Sequence, residues 1–491
     1  MERGAERERA DRSGPLLTLD RVWTLIAISI PFIAGLAFAM STVDLSYHIR
    51  LGEQILHGAL PRVDTFTFSA PGAGWTDQQW LAQAVLAAVY RAGGWNSVVL
   101  LKAALTGGTF VFVFLACRAS GASPRAAAGL TVASYLLSSQ NLGMRPQLLA
   151  VPLFAATLWI SATRRRHPRR QLAIPLLVVI WANVHGSFLL GPVLVGFDWL
   201  EDRRDHAPGA RRTLLIGVAA AAATLVNPFG VGVWIYTATI GTNPTITRFA
   251  SEWEPTTIRS FTGAGLFVSA AFVTWLVARR PEPVPWPTLL RLACFFALAL
   301  PAIRGVVWWG LVAPVTVAGL LRPAPSVASD GGGSPAAERR GSPVMNLTMV
   351  AIVIAAAALA LPWWRATPAR QASAVLKEAP EGIAAATSRV SAPGDHIWVD
   401  QVWASWFEFR LPDRLVFVDS RIEVYPARVW TDYLDAANGR EGWQGILDRW
   451  DVDVVVLSPG QSGELVERIG RDPGWRRTYQ DADGSVFVRE A

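Results

Sequence analysis

The chain has 491 residues, 52% of them hydrophobic and 17% charged, well below the roughly 25% charge of soluble domains, so a membrane protein is its default class. Its net charge of +7 comes largely from arginines in short loops, and its 22 tryptophans suit a water–lipid boundary, so a nucleic-acid partner is not expected. The two cysteines, Cys117 and Cys294, each sit in an apolar run and exclude both a disulfide framework and a cysteine zinc site.

The tail formed by residues 1–21 is polar and mixed in charge. The first apolar segment, Val22–Met40, lacks a small-residue cleavage site and is expected to remain as an anchor. The apolar pattern then breaks off at STVDLSYHIRLGEQILHGALPRVDTFTFSAPGAGWTDQQW, a polar stretch bearing acids and histidines that opens a loop over residues 41–96. Further apolar segments follow at Val98–Cys117, Ala126–Ser139, Gln147–Thr163, Gln171–Asn183, Ser187–Leu200, Thr213–Val226, Gly263–Val277, Leu289–Ile303, Val306–Leu321 and Met345–Trp363. The expected architecture is a polytopic α-helical membrane protein with about eleven spans.

The loops sort by charge. Arg118 with Arg125, the run Arg164 to Arg170, the cluster Arg203, Arg204, Arg211 and Arg212, the pair Arg279-Arg280 and the pair Arg339-Arg340 fall on alternate loops. Positive charge on short loops marks the cytoplasmic side, which places the N-terminus inside and the first loop outside. The membrane module then covers residues 22–321, a flexible Gly-, Pro- and Ser-rich cytoplasmic linker residues 322–344, and the last span residues 345–364. From residue 365 to 491 the composition changes. HIWVDQVWASWF, RLVFVDSR, DVDVVVLS and SVFVRE read as strands, and VWTDYLDAANGREGWQGILDRW and SGELVERIGRD as helices, giving a small extracytoplasmic α/β domain.

With this sidedness the unusual polar residues gather at the outer face, while the span interiors carry almost no acid. Transporters keep ionisable groups near the midplane, so a lipid-linked-sugar flippase is a weaker reading than surface chemistry; a non-catalytic envelope assembly protein is the other alternative. Asp44, Tyr47 and His48 share a helix face. A carboxylate beside an imidazole can act as a general base or hold a divalent cation, and an Asp at a helix start can equally be an N-cap. Arg145, Arg248 and Arg304 offer guanidinium forks suited to phosphate, or to lipid headgroups. His185 lies in a tight turn, where it serves either a ligand or the backbone. Glu252 in FASEWEP offers a second carboxylate, with Asp44 and Glu252 a possible cation pair; Arg50, Asp64, Gln78 and Gln79 complete the outer-loop candidates. Asp400, Asp419, Arg421 and Glu423 read as a strand-end salt-bridge network.

The opening DLSYHIRLGEQILHGALPRVDTFTFSAPG with WTDQQWLAQ resembles the first outer loop of the GT-C superfamily of membrane glycosyltransferases, above all the Asp-x-x-Tyr-His-x-Arg of Asp44 to Arg50. GMRPQ, NVHGS and NPFG look like features of a bacterial branch of dolichyl-phosphate-mannose type. The chain departs from the family in lacking a WWDYG-type acceptor motif and in carrying Gln78-Gln79 where relatives often show His-Glu. The resemblance implies an enzyme of the bacterial plasma membrane that moves a sugar from a polyprenyl-phosphate donor to a hydroxyl of a glycan, lipid or protein acceptor, with inversion. Asp44, His48 and Asp64 would be catalytic. Tyr47, Arg50, Gln78, Gln79, Arg145, His185, Glu252 and Arg304 would bind substrate. No cofactor beyond a possible divalent cation is implied.

Overall fold

The computed structural model describes residues 18–249, 251–321, 342–365 and 371–490. Most of the expected N-terminal tail and linker lies outside the described residues. The N-terminal part is helical: α1 (Leu19–Ala37), the short strand β1 (Met40–Ser41), α2 (Thr42–Leu56), α3 (Trp80–Ala119), α4 (Pro124–Ser138), α5 (Pro146–Thr163), α6 (Ile174–Ala182), α7 (Leu190–Arg204), α8 (Ala210–Ala223), α9 (Gly232–Thr242), α10 (Pro244–Phe249), α11 (Phe261–Ala278), α12 (Trp286–Ala299), α13 (Val306–Leu320) and α14 (Pro343–Leu359).

Among the described residues, α1, α3, α5, α11 and the stretch Ile303–Leu320 containing α13 are long and apolar enough to cross a membrane. The other apolar segments are also helical but shorter. A helix of 15 residues such as α4 or α7 rises about 22 Å, short of a hydrocarbon core of about 30 Å. The 3₁₀ turn Gly186–Leu189 separates α6 from α7 between the two segments expected at Gln171–Asn183 and Ser187–Leu200.

The first loop is also shorter than the sequence predicts, because α3 begins at Trp80 rather than near Val98. Its 40 residues hold a break at Gly93-Gly94, where Gly94 has φ 62° and ψ −151°, a conformation essentially reserved for glycine. The break lets the first part of α3 lie against α2. That packing is intimate: a Cβ on Gly52 would sit 2.0 Å from the Gln83 carbonyl oxygen. Glycine at this position therefore sets the distance between the two helices that carry His48 and Gln83.

The C-terminal part begins with α15 (Gln371–Val375) and β2 (Leu376–Lys377), which pairs in parallel with β1. It continues with α16 (Glu381–Val390), β3 (His396–Val399), α17 (Gln401–Arg410), β4 (Leu415–Val416), α18 (Ala427–Ala437), α19 (Trp443–Arg449), β5 (Val454–Leu457), α20 (Pro459–Ile469), β6 (Trp475–Gln480) and β7 (Ser485–Arg489). The sheet order is β4-β3-β5-β7-β6, parallel across β4, β3 and β5, with β7 antiparallel to both its neighbours. QVWASWFEF, read partly as strand from its apolar content, is helix α17. It is buried on one side by the sheet and on the other by α2, and this two-sided burial erases the amphipathic signature. The predicted helix from Val429 to Trp450 is two helices, split at Gly439 and Gly442, whose φ values are 59° and 88°.

The loop between α2 and α3 docks on this sheet. Val416 N–H donates to Phe66 O and Phe68 N–H to Val416 O, both at 3.1 Å, so the loop extends the β4 edge. The Ser69 hydroxyl donates to Phe417 O at 2.5 Å. The C-terminal unit and the first loop thus share one hydrophobic core, with Phe66, Phe68 and Trp75 packed among Trp398, Phe417 and Trp430.

Candidate functional site

Ser41, not Asp44, caps α2: its hydroxyl accepts from Val43 N–H at 3.4 Å. Asp44 sits in the first turn, where the helix dipole favours a carboxylate. Offsets of three and four place Tyr47 and His48 on its face; both are buried, with ring centroids 4.1 Å apart.

Arg145 stands at the start of α5, in extended conformation ahead of Pro146, a residue suited to the first helical position. Its guanidinium lies 3.6 Å from Asp44 and forms an ion pair with Glu252. Arg304, from the turn before α13, donates to Glu252 Oε1 at 2.9 Å and to Gln147 Oε1 at 3.2 Å, and covers the Trp253 ring at 4.9 Å. Four side chains scattered along the sequence therefore form one chain of alternating charge, Asp44–Arg145–Glu252–Arg304. A cavity of about 230 Å³ opens beside it, lined by Arg145, Gln147, Glu252, Gln140, Asn141 and Ile303.

Burial raises the Asp44 carboxyl above its ordinary range, with Arg145 opposing and Glu252 reinforcing the rise. Burial also works against ionisation of Glu252, yet Arg304 and Arg145 together hold it below the usual value. The cluster thus pairs one carboxylate kept ionised with another poised to take a proton. His185 belongs to the same electrostatic neighbourhood. Burial, then Arg304 and Arg145, push it down to about 3, so it is neutral. Its Nδ1 accepts from Ser187 N–H at 3.1 Å, with the Ser187 hydroxyl at 2.8 Å, so it also supports its own turn. Trp80 ties that turn to the start of α3, donating from Nε1 to Asn183 Oδ1 at 2.8 Å.

Other candidates lie elsewhere. Asp64, expected to be catalytic, is 2% exposed and fully engaged. It accepts from Phe66 N–H and Thr67 N–H, each at 3.2 Å, and from the Thr67 hydroxyl at 2.6 Å, and pairs with Arg421 at 2.5 Å. It therefore fastens the loop and has no oxygen left for a substrate. Arg50, expected to bind substrate, instead grips the C-terminal unit. It donates to Glu408 O at 2.8 Å and Pro412 O at 2.6 Å, and lies over Phe66. Gln78 donates to Ala182 O at 3.0 Å, and Gln79 occupies the N-cap position of α3 without a side-chain capping bond. Arg248 covers Phe249 and stays apart from the cluster.

One grouping escaped the sequence reading, and a second extends beyond what that reading expects. Gln83 Nε2 donates to Asp77 Oδ1 at 2.8 Å and lies 3.2 Å from His48 Nδ1. It thereby holds the imidazole, which burial and then Arg145 push down to about 3, as a neutral ring. The six-residue spacing of Asp77 and Gln83 crosses a loop-to-helix boundary and so carries no periodic signal. The second grouping is the supposed strand-end network, which reaches outside its own unit. Arg421 bridges Asp419 and Asp64, each at 2.5 Å, and Glu423 accepts from Tyr236 at 2.8 Å and Trp75 Nε1 at 3.3 Å.

No protein-family model and no curated protein matches the sequence. Solved structures do match in shape. The oligosaccharyltransferase of Archaeoglobus fulgidus in its apo form aligns over 95% of this chain and 74% of its own, at 13% identity and a TM-score of 0.52. ArnT from Cupriavidus metallidurans bound to undecaprenyl phosphate aligns over 96% of this chain and 98% of its own, at 13% identity and a TM-score of 0.51. AglB from Archaeoglobus fulgidus, with an inhibitory peptide and a dolichol-phosphate, gives 12% identity and a TM-score of 0.54 over 95% of this chain and 74% of its own.

The chain shares its fold with these solved structures. In this fold the polar loop after the first apolar helix and the arginines at helix ends converge through the tertiary structure rather than through proximity in sequence.

A pH effect follows from Asp77. Burial pushes it up to about 7, against the Gln83 hydrogen bond. A carboxyl whose folded value exceeds its unfolded one contributes stability that is complete below the unfolded value, about 4, and is lost as pH rises through about 7. Buried neutral His48 and His185 act in the opposite sense, so the readout is the difference: between pH 5 and 7 the thermal midpoint of wild type should fall relative to that of Asp77→Asn, and a constant difference across this range would exclude Asp77 as a titrating group.

Proposed function

We propose that this chain transfers a sugar from a polyprenyl-phosphate donor to an acceptor hydroxyl at the outer face of a bacterial plasma membrane, with inversion at the anomeric carbon. The observation that carries this reading is the Asp44–Arg145–Glu252–Arg304 chain, a proton acceptor next to two guanidiniums. An acceptor hydroxyl attacks the anomeric carbon, its proton passes to Asp44, and the bond from that carbon to the phosphate oxygen breaks. The phosphate leaves with the bonding pair, and Arg145 and Arg304 stabilise the charge it gains. Such preorganised stabilisation is often the largest catalytic term. Neutral His185 and Gln147 supply further polar contacts near the guanidiniums, while Tyr47 and His48 fix the helix face carrying Asp44. The C-terminal unit covers the first loop and helps to select the acceptor, which is a glycan, a lipid or a protein.

A divalent cation on Asp44 and Glu252 is a variant of this proposal that the arrangement does not favour. The Arg145 guanidinium stands in contact with both carboxylates, where such an ion would sit. It neutralises them as a cation would. Chelator treatment of the purified protein should therefore leave its transfer rate unchanged within about twofold, the level of ordinary context variation; a loss restored by Mg²⁺ or Mn²⁺ would reinstate the ion.

The experiment that tests the reading is incubation of the purified chain with a panel of polyprenyl-phosphate sugars, following release of polyprenyl phosphate. Consumption of at least one donor is expected. Failure across a broad panel, with donors differing in sugar and polyprenyl length, would remove the transferase assignment.

A further inference from the structure

Helix α5 runs from Arg145 at one end to Arg164 at the other, and its 18 residues rise about 27 Å. At this second end lies a cavity of about 580 Å³, larger than the one beside Arg145 and within the range of small-molecule sites. Its wall carries Arg164, Arg165, Arg166, Arg204, Arg280 and Arg291, against three carboxylates.

The arginines divide into two sets. Arg164 is spent on Glu201 at 2.9 Å and Asp202 at 3.0 Å, Arg165 on Asp202 and Asp205, each at 2.8 Å, and Arg204 on Asp205 at 2.9 Å. Among the described residues Arg166 and Arg280 form no ion pair, and Arg291 makes only a long one. Arg280 donates to the Leu320 carbonyl at 2.5 Å and forms no ion pair among the described residues. Arg291 approaches Asp198 only at 3.8 Å, and its buried Nε has no hydrogen-bond partner among the described residues. Arg166 is exposed and forms no ion pair among the described residues. The rest of the wall mixes apolar side chains, Leu158, Val312, Val315 and Leu320 among them, with the hydroxyls of Ser120, Ser161, Thr288 and Thr316. Guanidiniums with donors to spare, beside a partly apolar wall at the end of a helical bundle, match the chemistry of a phosphate carried on a hydrocarbon chain.

We propose that this cavity is a second anion site, separate from the Asp44 cluster, that holds a phosphate group through Arg280 and Arg291, with Arg166 at its mouth. The phosphate belongs either to a phospholipid headgroup or to a soluble phosphate ester. Binding here does not depend on sugar transfer at the opposite end.

The test uses the full chain, purified in detergent and stripped of lipid, with binding measured by native mass spectrometry. The probes are phosphatidylglycerol, phosphatidylcholine and glycerol 1-phosphate. Wild type should prefer phosphatidylglycerol to phosphatidylcholine. Arg291→Gln and Arg280→Gln should each weaken phosphatidylglycerol binding about tenfold, as expected for a lost charge-assisted hydrogen bond, while Arg291→Lys keeps most of it. Displacement by glycerol 1-phosphate identifies a soluble ester as the ligand, and retention of the lipid against it identifies a phospholipid; both outcomes support a phosphate site. Release of polyprenyl phosphate at the other end should be unchanged in all variants. Equal phosphatidylglycerol affinity in wild type and in Arg280→Gln and Arg291→Gln variants that elute and unfold like wild type would overturn the proposal. So would equal binding of phosphatidylcholine. If those variants unfold, Arg166→Gln, at an exposed position, carries the same test: unchanged lipid affinity there overturns it.

Discussion

Asp44→Asn should lower the rate of donor consumption by about 10²- to 10⁴-fold, the range for loss of a positioned general base. Asn keeps the size of the side chain and its place in the first turn of α2, and Arg145 keeps its ion pair with Glu252, so the fold should survive. Turnover should fall while donor binding changes little, because the guanidiniums that face the phosphate remain. The pH profile supplies an independent readout. Burial raises the Asp44 carboxyl above its ordinary value, so activity should fall with decreasing pH at a point above the ordinary carboxylate range. A variant that turns over donor within a few-fold of wild type would remove Asp44 from the chemistry, even if donor consumption itself stood.

Arg421→Ala should be the most damaging change for the fold. Arg421 is 3% exposed and pairs with Asp64 from the first loop and Asp419 from the C-terminal unit. Glu408 lies in the same cluster, and burial, with Asp419 beside it, raises its carboxyl so that it stays protonated. One cation thus serves two buried carboxylates. Removing a single partner from a buried ion network costs about 3–5 kcal/mol, because uncompensated charge is left in a low-dielectric site. The thermal midpoint should drop sharply, and limited proteolysis should begin to cut the loop between α2 and α3. Neutralising the orphans, in Asp64→Asn with Asp419→Asn on the Arg421→Ala background, should recover part of the loss. No recovery would mean that packing of the guanidinium against Phe66 and Trp75, rather than its charge, holds the cap.

These two residues mark what sequence could and could not reveal. The common helix face of Asp44, Tyr47 and His48 was legible because their offsets are a local property of a helix; the catalytic role of Asp44 is a proposal. Arg145, Glu252 and Arg304 were legible as residue types at helix ends, but their mutual contact was not. Asp64 misled: an acid in a polar loop reads the same whether it meets substrate or is buried against Arg421, 357 positions away. The hydrogen-bonded contact of Gln83 with His48 and Asp77 was invisible, since glutamines in a helix carry no sign of a partner.

The sequence by itself determined the membrane class, the position of the apolar helices, the polar break after the first of them and the resemblance to GT-C enzymes. These are consequences of composition and short-range periodicity, which act through the nearest few residues. The tertiary structure alone decided which charges meet, that the first loop extends the C-terminal sheet, and that the two ends of α5 face separate cavities. Contacts between distant segments depend on how helices pack and break, as at Gly94, and such geometry leaves almost no local imprint on the chain.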